Sequence, residues 1–222
     1  MAEELLDFIQ KDTGTNPRAA VIWLHGLGAD GHDFEPIVPE LGLTRAVRFI
    51  FPHAPTQPVT INGGMVMRAW YDITAMDLSA SIDARGIHGS SGHLRRLIRA
   101  TVDSGIRPDR IVLAGFSQGG VIALHTGLIH TERLAGIVAL STYVALPEEI
   151  QQSASDANRT VPIFMAHGRF DPVIPCALGE RSRDFLVKEG YPVQWYEYPM
   201  EHSVFPDEIR DLADWLNGLI DA

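Results

Sequence analysis

Residues 110–130 read RIVLAGFSQGGVIALHTGLIH, and this stretch decides the architecture. A short apolar run, Arg110–Ala114, leads into Gly115-Phe116-Ser117-Gln118-Gly119-Gly120. A second apolar stretch of helical length follows. Gly-x-Ser-x-Gly between a buried strand and a helix is the context of a nucleophile elbow, a sharp turn that lifts a serine hydroxyl above the end of a sheet. The residues two before and two after the serine must be small, because strand and helix approach each other closely there. The turn also sets backbone N–H groups at a helix N-terminus, where a developing oxyanion is favoured. Ser117 is therefore the candidate nucleophile. Gly89-Ser90-Ser91-Gly92 follows no strand and reads as a turn or helix cap.

Working outward, short apolar runs alternate with longer helical patterns, as in a mostly parallel central sheet with helices on both faces, an α/β fold. The predicted strands are Ala19–Leu24, Val47–Phe51, Arg110–Ala114, Ala135–Leu140, Val161–Ala166 and Val193–Tyr198. Several are continuously hydrophobic, as strands covered on both faces must be. Helices are predicted over roughly Phe34–Leu41, Ser91–Ser104, Gln118–Thr131, Ala177–Glu189 and Asp207–Leu219. The excursion from Pro52 to about Ala84 lacks this rhythm, and loops of that length tend to be functional. No repeat or linker divides the chain, so 1–222 reads as one domain.

In this strand order the acid and base should follow the serine, each in a loop after a later strand. VPIFMA is followed by His167-Gly168-Arg169-Phe170-Asp171, and VQWYEY by Pro199-Met200-Glu201-His202. Asp171 and His202 thus fall at the carboxyl ends of successive strands, where open α/β sheets gather their sites. His202 would take the Ser117 proton, and Asp171 would fix its tautomer. His167 is the nearest rival base, but it precedes the acid and ends the same strand. The first strand ends in Leu24-His25-Gly26-Leu27-Gly28, a loop suited to a second oxyanion donor. The backbone N–H groups of Leu27 and Gln118 are assigned that role. The same loop has neither phosphate-loop spacing nor the zinc spacing His-Glu-x-x-His, so His25, Asp30 and His32 are not read as metal ligands, and no metal is expected.

Composition narrows the setting. A formal charge of −10 leaves no global basic field for nucleic acid or anionic lipid. The one cysteine, Cys176, cannot form an intramolecular bridge and suits a reducing compartment. The opening residues MAEELLDFIQKDTG lack the basic and apolar regions of a signal peptide, and no stretch reaches the ~20 apolar residues of a membrane span. A cytoplasmic protein without integral membrane association is expected.

Five segments then carry a resemblance: LHGLGADGHDF (Leu24–Phe34), PHAPTQPVTINGGMVMRAWYDI (Pro52–Ile73), GFSQGG (Gly115–Gly120), HGRFDPVIP (His167–Pro175) and MEHSV (Met200–Val204). Together they resemble the small bacterial carboxylesterases and the related acyl-protein thioesterases, enzymes of the α/β-hydrolase fold. The resemblance implies a cofactor-free serine esterase acting on short- to medium-chain carboxylic esters through an acyl-enzyme. Thioesters of small thiols or acylated proteins, and lysophospholipids, are the alternative substrates. It also implies that Met65, Val66, Met67 and Trp70 lie by the acyl group, and it allows a homodimer. A non-catalytic binding module on the same scaffold is disfavoured, because every chemical position is filled.

Overall fold

A computed structural model describes residues 5–75 and 82–221. The first four residues of the N-terminal reading, positions 76–81 of the long excursion, and residue 222 lie outside the described residues. The chain forms β1 (Phe8–Asp12), β2 (Ala19–Leu24), β3 (Val47–Pro52), β4 (Thr56–Val59), β5 (Met65–Arg68), α1 (Ala84–Asp103), β6 (Ile111–Phe116), α2 (Gln118–Ile129), β7 (Gly136–Leu140), α3 (Pro147–Ser153), β8 (Ile163–Gly168), α4 (Cys176–Lys188), β9 (Val193–Tyr198) and α5 (Pro206–Asp221). Seven strands make one sheet in the order β1-β3-β2-β6-β7-β8-β9. Every neighbouring pair is parallel except β1 with β3.

The continuous apolar character of the strands has its reason in two separate cores. Ala20, Ile22 and Leu24 of β2 point into a cluster shared with α1, α2, α3 and α4. The alternating Ala19, Val21 and Trp23 point into a second cluster with α5 and the 3-10 turn Glu35–Leu41. With side chains alternating across a strand, both sets must be apolar when both faces are covered. All six predicted strands are present, within a residue or two.

Five features depart from the sequence reading, the short unpredicted helix α3 being one. β1 was not predicted: FIQKD is a half-exposed edge strand that shows no apolar run. Glu35–Leu41 is a 3-10 turn rather than an α-helix, and Pro39 lies within it. The long excursion contains the β4–β5 hairpin, with Val59 opposite Met65. Finally, α1 begins seven residues before the predicted Ser91, so Gly89-Ser90-Ser91-Gly92 is helix interior and not a turn. Its N-cap is Asp83, whose carboxylate accepts from Gly86 N at 2.9 Å. Its two serines are buried against neighbouring elements. Ser90 Oγ donates to the Trp70 carbonyl, and Thr126 Oγ1 of α2 donates to Ser91 Oγ at 2.9 Å. Among the described residues, no helix is long and apolar enough to cross a membrane.

Just beyond the loop that carries His202, α5 opens with a buried acid. Glu208 is fully buried, and its Oε2 accepts from Phe205 N at 3.1 Å, one half of a capping box. Burial pushes its carboxyl up to about 8, so at neutral pH it is mostly protonated in the folded chain. The folded state therefore binds a proton that the unfolded chain, with its ordinary pKa near 4.5, has lost. Stability from this group is fully present below that value and declines as pH rises to about 8. Wild-type Tm should fall across that window. Glu208→Gln, which keeps an acceptor for Phe205 N, should flatten the fall and gain on the order of 2–5 kcal/mol over wild type at pH 9. Parallel Tm–pH curves for the two proteins would refute the protonated state.

Candidate active site

Ser117 stands where β6 turns into α2, with φ 55° and ψ −121°. That is a strained conformation for a side-chain-bearing residue and persists only where its surroundings over-determine it. They do so here. Ser117 N donates to Leu140 O at 2.9 Å, and Thr142 Oγ1 donates to Ser117 O at 2.7 Å, so β7 and its following loop hold both sides of the turn. The flanking glycines are steric requirements. A Cβ on Gly115 would lie 2.3 Å from the Gly119 carbonyl carbon, and one on Gly119 would lie 2.4 Å from Leu24 O.

The strand-end residues converge on this hydroxyl. His202 Nε2 lies 2.9 Å from Ser117 Oγ, and His202 Nδ1–H donates to Asp171 Oδ2 at 2.6 Å. The Phe116 ring packs on the imidazole with centroids 4.8 Å apart. Asp171 is buried; its other oxygen accepts from Val173 N and Ile174 N, both at 2.8 Å. Burial alone would raise its carboxyl. The hydrogen bonds from His202 and the two backbone N–H groups outweigh that and hold it below the ordinary range, hence ionised. The rival, His167, is buried beneath: its Nε2–H donates to Ile174 O at 2.8 Å, and it lies 3.5 Å from Asp171. Burial lowers its pKa, so it is a neutral prop for the Asp171 loop.

The oxyanion candidates face the same space. Leu27, Gln118, Ser117 and His202 all line one cavity of about 280 Å³. Among the described residues, neither the Leu27 N–H nor the Gln118 N–H meets an acceptor. Gln118 is the first residue of α2, whose opening N–H groups are free of the helical ladder. Its side chain is used elsewhere: Trp70 N donates to Gln118 Oε1 at 2.9 Å, and Gln118 Nε2 donates to Tyr71 O at 2.6 Å. The Leu27 loop is fixed by His25, whose Nδ1–H donates to Gly26 O at 2.7 Å and whose Nε2 accepts from Ala54 N at 3.0 Å. Burial lowers the His25 pKa to about 4, so this framework stays neutral. His25 is thereby a scaffold residue, held apart from both His32 and Asp30, which pair with each other at the surface.

Of the four residues expected beside the acyl group, none lines the cavity. Met65 and Val66 stand outward on the β4–β5 hairpin, 64% and 65% exposed. Met67 is half-buried near Gly28, and Asn62 Nδ2 approaches its sulfur at 3.3 Å. Trp70 is buried and donates its Nε1–H to His25 O at 2.8 Å, so it braces the oxyanion loop from behind. The apolar wall is instead Tyr71, Ile73, Phe116, Tyr143, Val173 and Ile174. Four segments far apart in sequence supply it, and only their fold brings them together.

A parallel sheet flanked by helices, with a serine elbow and a His–Asp pair at its carboxyl edge, defines a serine hydrolase of the α/β-hydrolase class. Residues 8–220 match the family described as Phospholipase/Carboxylesterase, and the chain belongs to that family of carboxylic-ester hydrolases. It is similar to acyl-protein thioesterase 1 of Cryptococcus neoformans, 43% identical over 216 residues that cover 89% of this chain and 91% of that one. Acyl-protein thioesterase 1 of Mycosarcoma maydis is 40% identical over 231 residues, with 96% of each chain covered. Among solved structures, Zea mays acyl-protein thioesterase 2 superposes with a TM-score of 0.86 at 26% identity, covering 97% of this chain and 99% of that one.

The glycine geometry gives a paired test. Gly119→Ala drives a methyl group into the Leu24 carbonyl and should destabilise the fold by several kcal/mol and abolish turnover. Gly218→Ala, in α5 with open space around it, should stabilise by up to ~1 kcal/mol and leave turnover unchanged. Urea midpoints and ester hydrolysis rates of both variants check this. Normal activity in Gly119→Ala would contradict the steric account of the elbow.

Proposed function

We propose that the chain is a cytoplasmic serine carboxylesterase for short- to medium-chain acyl esters, with Ser117 as nucleophile, His202 as general base and acid, and Asp171 as the carboxylate that orients it. The observation that carries this reading is the unbroken hydrogen-bond relay from Ser117 Oγ to His202 to Asp171, at 2.9 and 2.6 Å. His202 takes the hydroxyl proton as Ser117 Oγ bonds to the acyl carbon, and the tetrahedral oxyanion rests on the N–H groups of Leu27 and Gln118. Collapse expels the alcohol, which leaves with the proton from His202. Water then repeats the sequence on the acyl-enzyme and releases the acid. The apolar wall from Tyr71 to Ile174 would hold the acyl chain, and its modest cavity supports the short- to medium-chain preference. The single cysteine supports a reducing compartment.

A second reading shares every step: hydrolysis of acyl thioesters, acylated proteins included. What favours it is the naming of the relatives at 40–43% identity as acyl-protein thioesterases. A thiolate leaves in place of an alkoxide, and the relay needs no other change.

Initial rates on p-nitrophenyl esters from acetyl to palmitoyl, and on matched thioesters, test both readings, with Ser117→Ala as the blank. Activity should vanish in the blank, and a fluorophosphonate should label the wild type alone. Asp171→Asn should lower turnover by about 10⁴-fold, the loss typical when the orienting acid is neutralised. Ile73→Trp, which fills the cavity, should cut rates on the longer acyl chains roughly 10-fold or more while sparing acetyl esters. Equal loss at all lengths would remove Ile73 from the acyl site. Retained activity in Ser117→Ala would remove the nucleophile.

A further inference from the structure

Away from the cavity, two imidazoles and a carboxylate from three different helices meet at one point. His88 of α1 lies 2.7 Å by its Nε2 from Glu149 Oε2, and His125 of α2 lies 3.2 Å by its Nε2 from Glu149 Oε1 of α3. The imidazole centroids are 5.6 Å apart. One donor atom from each residue can be chosen so that all three fall within 4.8 Å of one another. His125 sits two turns along α2 from Ser117, about 12 Å by the helical rise, so the cluster is separate from the proposed nucleophile.

The geometry points to a divalent transition-metal site, of the zinc class, formed by His88 Nε2, His125 Nε2 and a Glu149 oxygen. Two imidazoles and one carboxylate are a known zinc donor set that leaves a fourth position for water. Imidazole nitrogens suit zinc, copper or nickel, whereas magnesium and calcium prefer all-oxygen shells. Bonds of about 2.0–2.1 Å in a tetrahedron put donor atoms about 3.3 Å apart. The two hydrogen-bonded distances, 2.7 and 3.2 Å, run to different oxygens of Glu149, and with one donor atom from each residue already within 4.8 Å of the others, side-chain rotations of the order of 1 Å would complete the triangle. The cluster also has an unequal exposure that suits capture. The His125 side chain is only 4% exposed and fixed in place, while His88 at 49% and Glu149 at 33% leave an open route from solvent.

Two features limit the affinity. His125 Nδ1 is buried with no partner among the described residues, so the acceptor that normally orients a metal-bound histidine is missing. Arg95, which donates to Ser91 Oγ at 3.1 Å, acts on His125 as a like charge to the ion. Both push the dissociation constant toward the micromolar range or weaker. An ion held here would tie α1, α2 and α3 together.

The test is calorimetric titration of chelator-stripped full-length protein with zinc chloride at pH 7.5, beside His88→Ala and Glu149→Gln. Wild type should bind one zinc ion per chain at this site, with no comparable heat from magnesium. Each variant should bind at least 10-fold more weakly while hydrolysing esters at the wild-type rate. At a zinc concentration 100 times the dissociation constant, wild-type Tm should rise by roughly 5–10 °C and that of the variants should not. Glu149→Gln is nearly isosteric and partly exposed, so it serves even if the His88 variant folds poorly. No zinc binding by wild type, or undiminished binding and the same Tm rise in Glu149→Gln, would overturn the site.

Discussion

The close approach of β6 to α2 is the constraint on which the site depends. With Gly115 and Gly119 almost in contact, the chain can turn between them only through the strained conformation seen at Ser117. That conformation aims the hydroxyl above the sheet and exposes the first N–H of α2 on the same side. The strain is offset by bonds that are themselves structural: Ser117 N to Leu140 O in the neighbouring strand, and Thr142 Oγ1 to the Ser117 carbonyl. Serine position, the N–H proposed as an oxyanion donor and strand pairing are thus one arrangement, and a change to any of them moves all three.

Around this turn the other groups are placed by a supporting layer that is mostly neutral. His25 and His167 are both kept uncharged by burial, each with one ring nitrogen committed to a backbone carbonyl. Trp70 and Gln118 bind backbone atoms of the excursion and of the first loop. A neutral scaffold matters here. Additional fixed charges beside a low-dielectric site would shift the proton balance between His202 and Asp171. Asp171 stays ionised through short contacts from His202 and two backbone N–H groups rather than through a cationic side chain.

The legibility of this arrangement in the sequence follows from how local each signal is. Ser117 carries its own context, because the strand, the small residues and the helix are contiguous. Asp171 and His202 are readable as the loop residues after two successive strands, one fully buried and one half-buried. Buried parallel strands are readable too, since coverage on both faces leaves them no polar positions. The edge strand β1 is not, because half of it faces water and its pattern dissolves into ordinary polarity. The start of α1 is hidden for another reason: its Gly- and Ser-rich first half has poor helical propensity, and packing against Trp70 and Thr126 overrides it. The apolar wall of the cavity is the least legible part. Tyr71, Ile73, Tyr143, Val173 and Ile174 share no local pattern, and the conspicuous Met65 and Val66 face solvent on the hairpin.

That division of labour bears on substrate choice. In the proposed mechanism the relay and the oxyanion donors act on the acyl carbon and its oxygen, which esters and thioesters share, so they would discriminate weakly between the two. Discrimination must come from groups that touch the acyl chain or the leaving group. The wall proposed for the acyl chain combines Phe116 at the end of β6 with aromatic and branched side chains on loops beyond β5, β7 and β8, where substitutions alter shape without disturbing the sheet. Val173, at the edge of that wall, is largely exposed, so the cavity opens to solvent there. In the proposed mechanism, esterase and thioesterase activities therefore require no different catalytic group, and their ratio would be set by the side chains that meet the acyl chain and the leaving group.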